Sequence, residues 1–375
     1  MSDFLKNMEK MKKSGLSRIK GSVTGIAVGM GTCGIGNGAD RLYDLLAEAI
    51  NEKGLDIPLR KVGCIGYCAE EPIVNVYMPG SPLVIYRSVQ KNHIKTILNN
   101  IERQSFQDRN VLCKISRWDH LTGEMEYGEG FKKIPEWNEI PFFKHQKKIV
   151  LRNSGLIDPD SIEEYLAVGG YSAFLKAVRE MKPEEVIEEV RNSRLRGRGG
   201  AGFPTGIKWE LMRNERAAKK FVICNADEGD PGAYMNRNEI ESDPHMLLEG
   251  MLLGAYAMGA DEGILYVRAE YPLAVERLNR AIGQAEKAGL IGSKIHGTDF
   301  RFKLNMVEGA GAFVCGEETA LIASAEGKSG RPTPRPPFPA QSGFMGYPTN
   351  INNVETWCNI PVIVLKGADW FTRTG

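Results

Sequence analysis

The stretch Lys219–Tyr234, KKFVICNADEGDPGAY, decides the fold. It runs from two lysines into Phe221, Val222, Ile223 and Cys224, a short apolar run suited to a strand buried on both faces. It then breaks into Asn225, Asp227, Glu228 and Asp230. In open α/β sheets ligands sit beyond the carboxyl ends of the strands, which is where these polar groups fall. The alternation continues downstream: PHMLLEGMLLGAYAMGA from Pro244 predicts a helix, EGILYVRAEY from Glu262 a strand, PLAVERLNRAIGQAEKAG from Pro272 a helix, and FRFKLNMVEGAG from Phe300 a strand. A mostly parallel sheet with covering helices follows, an α/β domain of the Rossmann-like kind.

Two further signatures flank this strand. GRGGAGFPTGIKW, Gly197–Trp209, satisfies G-x-G-x-x-G through Gly197, Gly199 and Gly202. What precedes it, PEEVIEEVRNSRLR from Pro183, has the apolar spacing of a helix rather than a strand, and Pro204 argues against a helix opening directly after the glycines. Nor is it a Walker loop, since Ile207 separates Gly206 from Lys208 and no Ser or Thr comes next. The reading left is a long loop of bare backbone whose N–H groups, with Arg198 and Lys208, suit a phosphate. GAGAFVCGEET, Gly309–Thr319, predicts a helix opening at about Cys315. Glu317 and Glu318 in its first turn have a plain structural explanation, capping and complementing the helix dipole. Gly309, Gly311 and Gly316, interleaved with Ala310 and Ala312, would also let a planar ring lie against backbone.

From about Arg194 to Val364 the chain resembles the NADH-oxidising flavoprotein subunit of respiratory complex I and its relatives in NAD-linked and electron-bifurcating hydrogenases and formate dehydrogenases. RGRGGAGFPTGIKW, ICNADEGDPGAY, GAGAFVCGEETALIASAEG and PPFPAQSGFMGYPTNINNVET carry the resemblance, in that order. The wording EGDPGA, with Asp230, looks more like the hydrogenase and formate dehydrogenase branch. The resemblance implies FMN held by Gly197, Arg198, Gly199, Gly200, Lys208, Asn225, Asp227, Gly316, Glu317, Asn352 and Asn353. It implies NADH over the flavin, with Glu228, Asp230 and Glu318 near its polar groups, Phe203 and Phe338 flanking the adenine, and Arg335 where the family often has a lysine. Leu211 and Phe313 stand where the family often has an aromatic and a tyrosine.

The expected activity is therefore hydride transfer from NADH to FMN, then release of single electrons to iron–sulfur centres of partner subunits such as ferredoxin-like, hydrogenase or dehydrogenase subunits. Such chemistry asks the protein for orientation and electrostatics, not for a nucleophile or general base. No catalytic residue is expected, and the histidines, His93, His120, His145, His245 and His296, are scattered, with His245 read as structural. The alternative is a non-catalytic scaffold that binds redox partners.

The amino-terminal third reads as a separate unit. SVTGIAVGM is a strand, ADRLYDLLAEAINEKG a helix, PLRKVGC, PIVNVYM and SPLVIYRS strands, and QKNHIKTILNNI a closing helix. This order resembles the thioredoxin-like ferredoxin domain that many of these flavoproteins carry. That family's cluster pattern pairs an early C-x4-C with a later C-x3-C, and here only the later pair, Cys64 and Cys68, is complete beside Cys33; Val28, Gly29 and Gly38 flank the latter. A 2Fe–2S cluster normally takes four thiolates. Four readings stay open: a cluster with a non-cysteine fourth ligand, one that recruits Cys113, a cluster-free domain, and a zinc site. Cys224, Cys315 and Cys358 lie in or beside apolar segments as packed thiols.

These readings give a charged arm over residues 1–20, a thioredoxin-like domain over 21–103, a surface connector over 104–148 and an FMN/NADH domain over 149–375. The family's carboxyl-terminal β-rich and 4Fe–4S helical domains are expected to be absent. With 375 residues and a hydrophobic share of 42%, two or three packed domains are affordable. The formal charge of +1, despite Arg191, Arg194, Arg196 and Arg198 in close succession, points away from nucleic acid. No apolar run approaches the ~18 residues of a membrane span. The start MSDFLKNMEKMKKSGLSRIK lacks the apolar centre of a signal peptide, and seven cysteines suit a reducing compartment, so a cytoplasmic location is expected.

Overall fold

The structure, a computed structural model, describes residues 3–20, 23–230, 232–295 and 298–373. His296 lies outside them. The chain divides into two compact units, Glu9–Gly169 with Glu241–Asp243, and Met1–Met8 with Gly170–Ile240 and Pro244–Gly375.

The first unit begins in the helix α1 (Asp3–Ile19), formed by the charged start of the chain. Its Gly15 lies against the Glu163 backbone, where any side chain would collide, and Arg18 pairs with Glu163. The strand β1 (Gly25–Gly29) is followed by α2 (Thr32–Gly36), α3 (Ala39–Glu52) and β2 (Leu59–Val62), which returns parallel to β1. Next come β3 (Val74–Tyr77) and β4 (Leu83–Tyr86), an antiparallel hairpin beside β1, and α4 (Ile94–Arg103). A parallel βαβ unit joined to an antiparallel ββα unit in the order β2-β1-β3-β4 is the thioredoxin-like arrangement. The period-2 alternation of the strands explains the core on one face: Ile26, Val28, Val74, Val76, Val84 and Tyr86 meet Leu42, Leu46 and Ile50 of α3 and Ile97 and Leu98 of α4.

The other face corrects the sequence reading of residues 104–148. This segment is no simple connector, for β5 (Val111–Ile115) extends the sheet by pairing with β4. Trp118, Tyr127 and Phe143 cover the face that Ala27, Tyr77, Leu83 and Ile85 present. A thioredoxin-like sheet is apolar on both faces, and its helices here shield only one, so the aromatic-rich segment is drawn in to bury the other. A small hairpin, β6 (Arg117–Asp119) with β7 (Glu124–Glu126), carries Trp118. A short helix, α5 (Ile162–Ala167), is capped by the Ser161 hydroxyl, which accepts from Glu164 N at 3.2 Å.

The second unit holds α6 (Ser172–Glu180), α7 (Pro183–Asn192), α8 (Thr205–Asn214), β8 (Phe221–Ala226), α9 (Met235–Ser242), α10 (Pro244–Met258), β9 (Glu262–Arg268), α11 (Pro272–Lys287), β10 (Lys303–Gly309), α12 (Glu318–Ala325), β11 (Thr349–Asn353), α13 (Val354–Lys366) and α14 (Ala368–Thr372). Its four strands are all parallel, in the order β10-β9-β8-β11. The order therefore reverses between β8 and β11. Helix α10 is apolar nearly all round and almost wholly buried, as a central helix must be. Its Gly250 and Gly254 let α13 approach closely, since a Cβ at 250 would run into the Trp357 carbonyl oxygen. The buried Glu249 carboxylate accepts from Tyr171 N (2.8 Å) and Phe174 N (3.1 Å) at the start of α6.

Candidate functional site

The crevice where strand order reverses in a parallel sheet is where such sheets bind ligands. Here it is bounded by the carboxyl ends of β8 and β11, which carry Asn225 and Asp227 on one side and Asn352 and Asn353 on the other. The glycine loop joins them. Between α7 and α8 the chain folds back on itself, with Gly197 N donating to Phe203 O at 2.9 Å and Thr205 N to Leu195 O at 2.9 Å. Arg198 N donates to Thr356 Oγ1 at 3.0 Å, and a Cβ on Gly199 would meet only Asn353 Cβ, at 3.5 Å. The loop tip thus lies over the end of β11 and the start of α13. Gly200 turns the tip with φ of +98°, a conformation that glycine adopts without strain.

Contrary to the sequence reading, Pro204 does not hold off a helix: α8 opens directly after it. A proline at the boundary forfeits nothing, because the first N–H groups of a helix lack intrahelical partners anyway. Lys208 consequently projects from the first turn of α8, and its Nζ donates to Ile351 O at 2.7 Å and to the Glu318 carboxylate. The third signature also starts its helix later than expected. Phe313–Gly316 forms a 3-10 turn, and α12 begins at Glu318 with Glu317 as its cap. Glu317 Oε2 accepts from Thr319 N (2.9 Å) and Ala320 N (3.1 Å). Burial works against its ionisation, but hydrogen bonds from the Thr319 side chain and from the Ala320 and Thr319 N–H groups hold it below the usual carboxylate range. Arg335 stands 3.5 Å from both Glu317 and Glu318.

Several expected residues are committed to the scaffold. Asn225 Nδ2 donates to Gly316 O at 2.9 Å, tying β8 to the third signature, while its Oδ1 accepts from Asp227 N at 3.0 Å. Asn352 is buried, with its amide oxygen toward Trp209 Nε1 at 2.9 Å. Asn353 caps α13, accepting from Glu355 N at 3.0 Å, and donates to Asn236 Oδ1 at 2.6 Å. Glu228 turns away to cap α9, accepting from Asn236 N (3.0 Å) and Arg237 N (3.1 Å). Asp227 differs from all of these. Both of its carboxylate oxygens are buried without a hydrogen-bond partner among the described residues, and burial lifts it to about 6 even though Arg268 pulls the other way. Phe203, Phe338, Phe313 and Leu211 are exposed, as is Asp230.

Three contributors were missed in the sequence. Arg268 ends β9, donates to Glu228 O at 2.5 Å and pairs with Glu270 at 3.0 Å. Thr356 and Glu355 open α13, where Glu355 lies 3.8 Å from Arg198. Their one sequence signal is position, a polar residue closing a strand or opening a helix at the ligand end of the sheet. His245 is fully buried, with ring nitrogens 2.9 Å from Tyr171 Oη and Gln284 Oε1, and burial lowers it to about 4. That fits its structural reading. The arginine run is consumed locally: Arg191 pairs with Glu210 at 3.1 Å and Arg196 donates to Gly202 O at 2.6 Å.

In the other unit Cys33, Cys64 and Cys68 converge, their sulfurs all within 4.8 Å of one another and those of Cys64 and Cys68 3.8 Å apart. The hydrogen bond with Cys64 favours ionisation of Cys33, but the bond with Cys68 and burial outweigh it and raise Cys33 to about 12. Contacts with Cys33 and Cys68, then burial, push Cys64 well up. Such thiols stay protonated unless a cation holds them as thiolates. Cys113 sits in β5 and is not among the three sulfurs that converge. Cys224, Cys315 and Cys358 are buried and in no disulfide, as expected of packed thiols.

An all-parallel sheet whose order reverses beneath a glycine loop defines a nucleotide-binding α/β protein. Residues 190–362 match the family profile described as the Nuo51 FMN-binding domain. It is 55% identical over 232 residues to the NADP-reducing hydrogenase subunit HndC of Solidesulfovibrio fructosivorans, covering 62% of this chain and 47% of that one. An NADH-quinone oxidoreductase subunit of Escherichia coli (strain K12) is 47% identical over 214 residues, 57% of this chain and 48% of its own. A crystal structure of an NAD+-reducing NiFe-hydrogenase in the H2-reduced state aligns with a TM-score of 0.51 and 26% identity, covering 97% of this chain and 59% of that chain. The chain spans about half the length of the curated relatives it matches. No helix among the described residues is long and apolar enough to cross a membrane.

Proposed function

We propose that this chain is the NADH-oxidising FMN subunit of a multi-subunit electron-transfer complex of the NAD-linked hydrogenase or formate dehydrogenase kind. The observation that carries the reading is the desolvated Asp227 carboxylate at the β8/β11 switch point, where the glycine loop lies over the end of β11 with open space at Gly200. A buried acceptor without a donor is costly unless a ligand supplies one, and the N–H and hydroxyl groups of FMN suit it. The donor set fits as well, with the cations Arg198 and Lys208 and the backbone of Gly199 and Gly200 for the phosphate. FMN, when bound, supplies the redox chemistry by accepting hydride from reduced nicotinamide and releasing electrons one at a time.

The chain's own part is to bind and orient. Arg198, Lys208 and the glycine loop anchor the phosphate end, while Asn225, Gly316 and Asn353 fix the walls at the strand ends. Glu318 accepts ribose hydroxyls of the dinucleotide, with Arg335 and Asp230 beside its polar groups, and Phe203 and Phe338 offer faces for the adenine. Glu228 and Asn352 act on the geometry rather than on the ligand, given their internal partners. Partner subunits with iron–sulfur centres would take the electrons. We also place the chain in the cytoplasm, a reading supported by seven cysteines of which none is in a disulfide.

The test is to purify the chain and measure flavin content and its visible absorption before and after anaerobic NADH. Stoichiometric FMN that bleaches with NADH is expected; protein that binds no flavin, or flavin that NADH leaves oxidised, rejects the reading and favours a scaffold. Gly199→Val sharpens it. The backbone at 199 is not left-handed and a Cβ there meets only Asn353 at an ordinary distance, so the variant should fold yet lose flavin affinity by roughly 10- to 150-fold.

A further inference from the structure

We propose that Glu71 is the fourth ligand of the Cys33, Cys64 and Cys68 site, making a centre of three thiolates and one carboxylate for a thiophilic metal, whether one zinc ion or a 2Fe–2S cluster. Both kinds of centre require four protein ligands when closed to solvent, and the cysteines supply three. The sulfur positions suit a shared metal. Zn–S bonds of about 2.3 Å in a tetrahedron put sulfurs about 3.8 Å apart, and Cys64 and Cys68 stand at 3.8 Å.

Glu71 follows the 3-10 turn Cys68–Glu70 and is buried, with 6% of its surface exposed. Its Oε2 is fixed by Ile73 N at 2.8 Å. Its Oε1 is equally buried and makes no hydrogen bond among the described residues. The carboxylate lies between the end of β1 and the Cys33 turn: a Cβ on Gly34 would stand 3.2 Å from Oε2, and a Cβ on Gly29 would stand 3.2 and 3.4 Å from its two oxygens. Gly29 is among the residues upstream of Cys33 where the ferredoxin pattern would look for its first cysteine. In space the carboxylate fills the volume that a side chain at 29 would occupy. Carboxylate oxygen is an accepted ligand beside thiolate for both zinc and iron. The half-buried cation Lys148, whose Nζ donates to Ile65 O at 2.5 Å within the same loop, offsets part of the accumulated negative charge.

The inference is independent of the flavin reading, because its test uses neither NADH nor FMN. The full chain would be loaded anaerobically in one arm with Zn2+ and in the other with Fe2+ and sulfide, which separates the two metal sources by metal and sulfide content. X-ray absorption at the loaded metal's edge should report sulfur ligands with one protein oxygen, and Glu71→Cys should replace that oxygen by sulfur while keeping stoichiometric metal. In competition with a chelator Glu71→Gln, which retains an acceptor for Ile73 N, should bind at least about tenfold more weakly. Far-ultraviolet circular dichroism checks that each variant folds; Glu71→Cys remains informative if Glu71→Gln does not. An unchanged number of sulfur ligands in Glu71→Cys, unchanged affinity in Glu71→Gln, or a wild-type chain that loads in neither arm would each overturn the assignment.

Discussion

Asp227 is the residue whose environment most distinguishes the site from a well-satisfied core. Its folded-state proton affinity, about 6, lies above the ordinary 3.8, so the fold favours the protonated form. That contribution is fully present below about pH 4 and is lost as pH rises through 6. Asp227→Asn should therefore stabilise the flavin-free protein at pH 7, with an upper limit of about 3 kcal/mol that partial exposure reduces to roughly 1–2 kcal/mol. The gain should vanish toward pH 4, and thermal unfolding across that range checks it. The same change should weaken FMN binding, since the buried acceptor is lost. Glu318 allows a second test. Its carboxylate lies between Lys208 and Arg335, so Glu318→Gln leaves two cations facing the expected ribose. Preference for NADH over NADPH, read as the ratio of kcat/KM values for dye reduction, should narrow by about tenfold; an unchanged ratio would move the discriminating role elsewhere.

Among elements, the helix pair α10 and α13 sets the platform on which the site rests. Trp357 of α13 packs on Trp209 of α8 with ring centroids 5.6 Å apart and donates from Nε1 to Ile223 O of β8 at 3.3 Å. One aromatic residue thus links the helix that carries Lys208, the strand that leads to Asp227 and the helix that Asn353 caps. Gly250 makes this approach possible. Gly250→Ala, which would drive a methyl group into the Trp357 backbone, should cost at least about 1–3 kcal/mol and lower flavin occupancy through displaced geometry rather than lost contact. Chemical denaturation, with flavin content measured on the same sample, distinguishes this from a neutral surface change. The late start of α12 belongs to the same scale. Periodicity alone places a helix near Cys315, whereas the cap that begins it is the Glu317 carboxylate closing on Thr319 and Ala320, a contact visible only once the chain is folded.

At the scale of the molecule, the flavin-site residues and the thiol site belong to different compact units. Changes at the thiols should therefore leave the first half of the reaction intact. Cys64→Ser should bleach with NADH at a rate within about twofold of wild type, as expected of sites that share no partners, even where it abolishes metal binding. Stopped-flow absorbance measures the first effect and metal analysis the second.

Much of this was legible along the chain. The apolar runs that end at Ala226 and Arg268 and give way to acids point to a parallel sheet, because strands buried on both faces need continuous hydrophobicity and helices to cover them. The glycine, lysine and carboxylate signatures mark a phosphate and ribose site for the same local reason, that bare backbone and charge are properties of short segments. Partnership was not legible. Glu228 and Asp227 stand side by side in one motif, yet the first caps α9 while the second is left desolvated, and only the packing of β9, α9 and α13 around them separates their roles. The segment 104–148 looked like a polar crossing until the unshielded face of the first sheet claimed Trp118, Tyr127 and Phe143. Glu71 came beside Gly34 in the same way, across 37 residues of sequence. Secondary structure follows from periodicity over a few residues, whereas which polar atoms remain unpaired depends on long-range contacts that no local window contains.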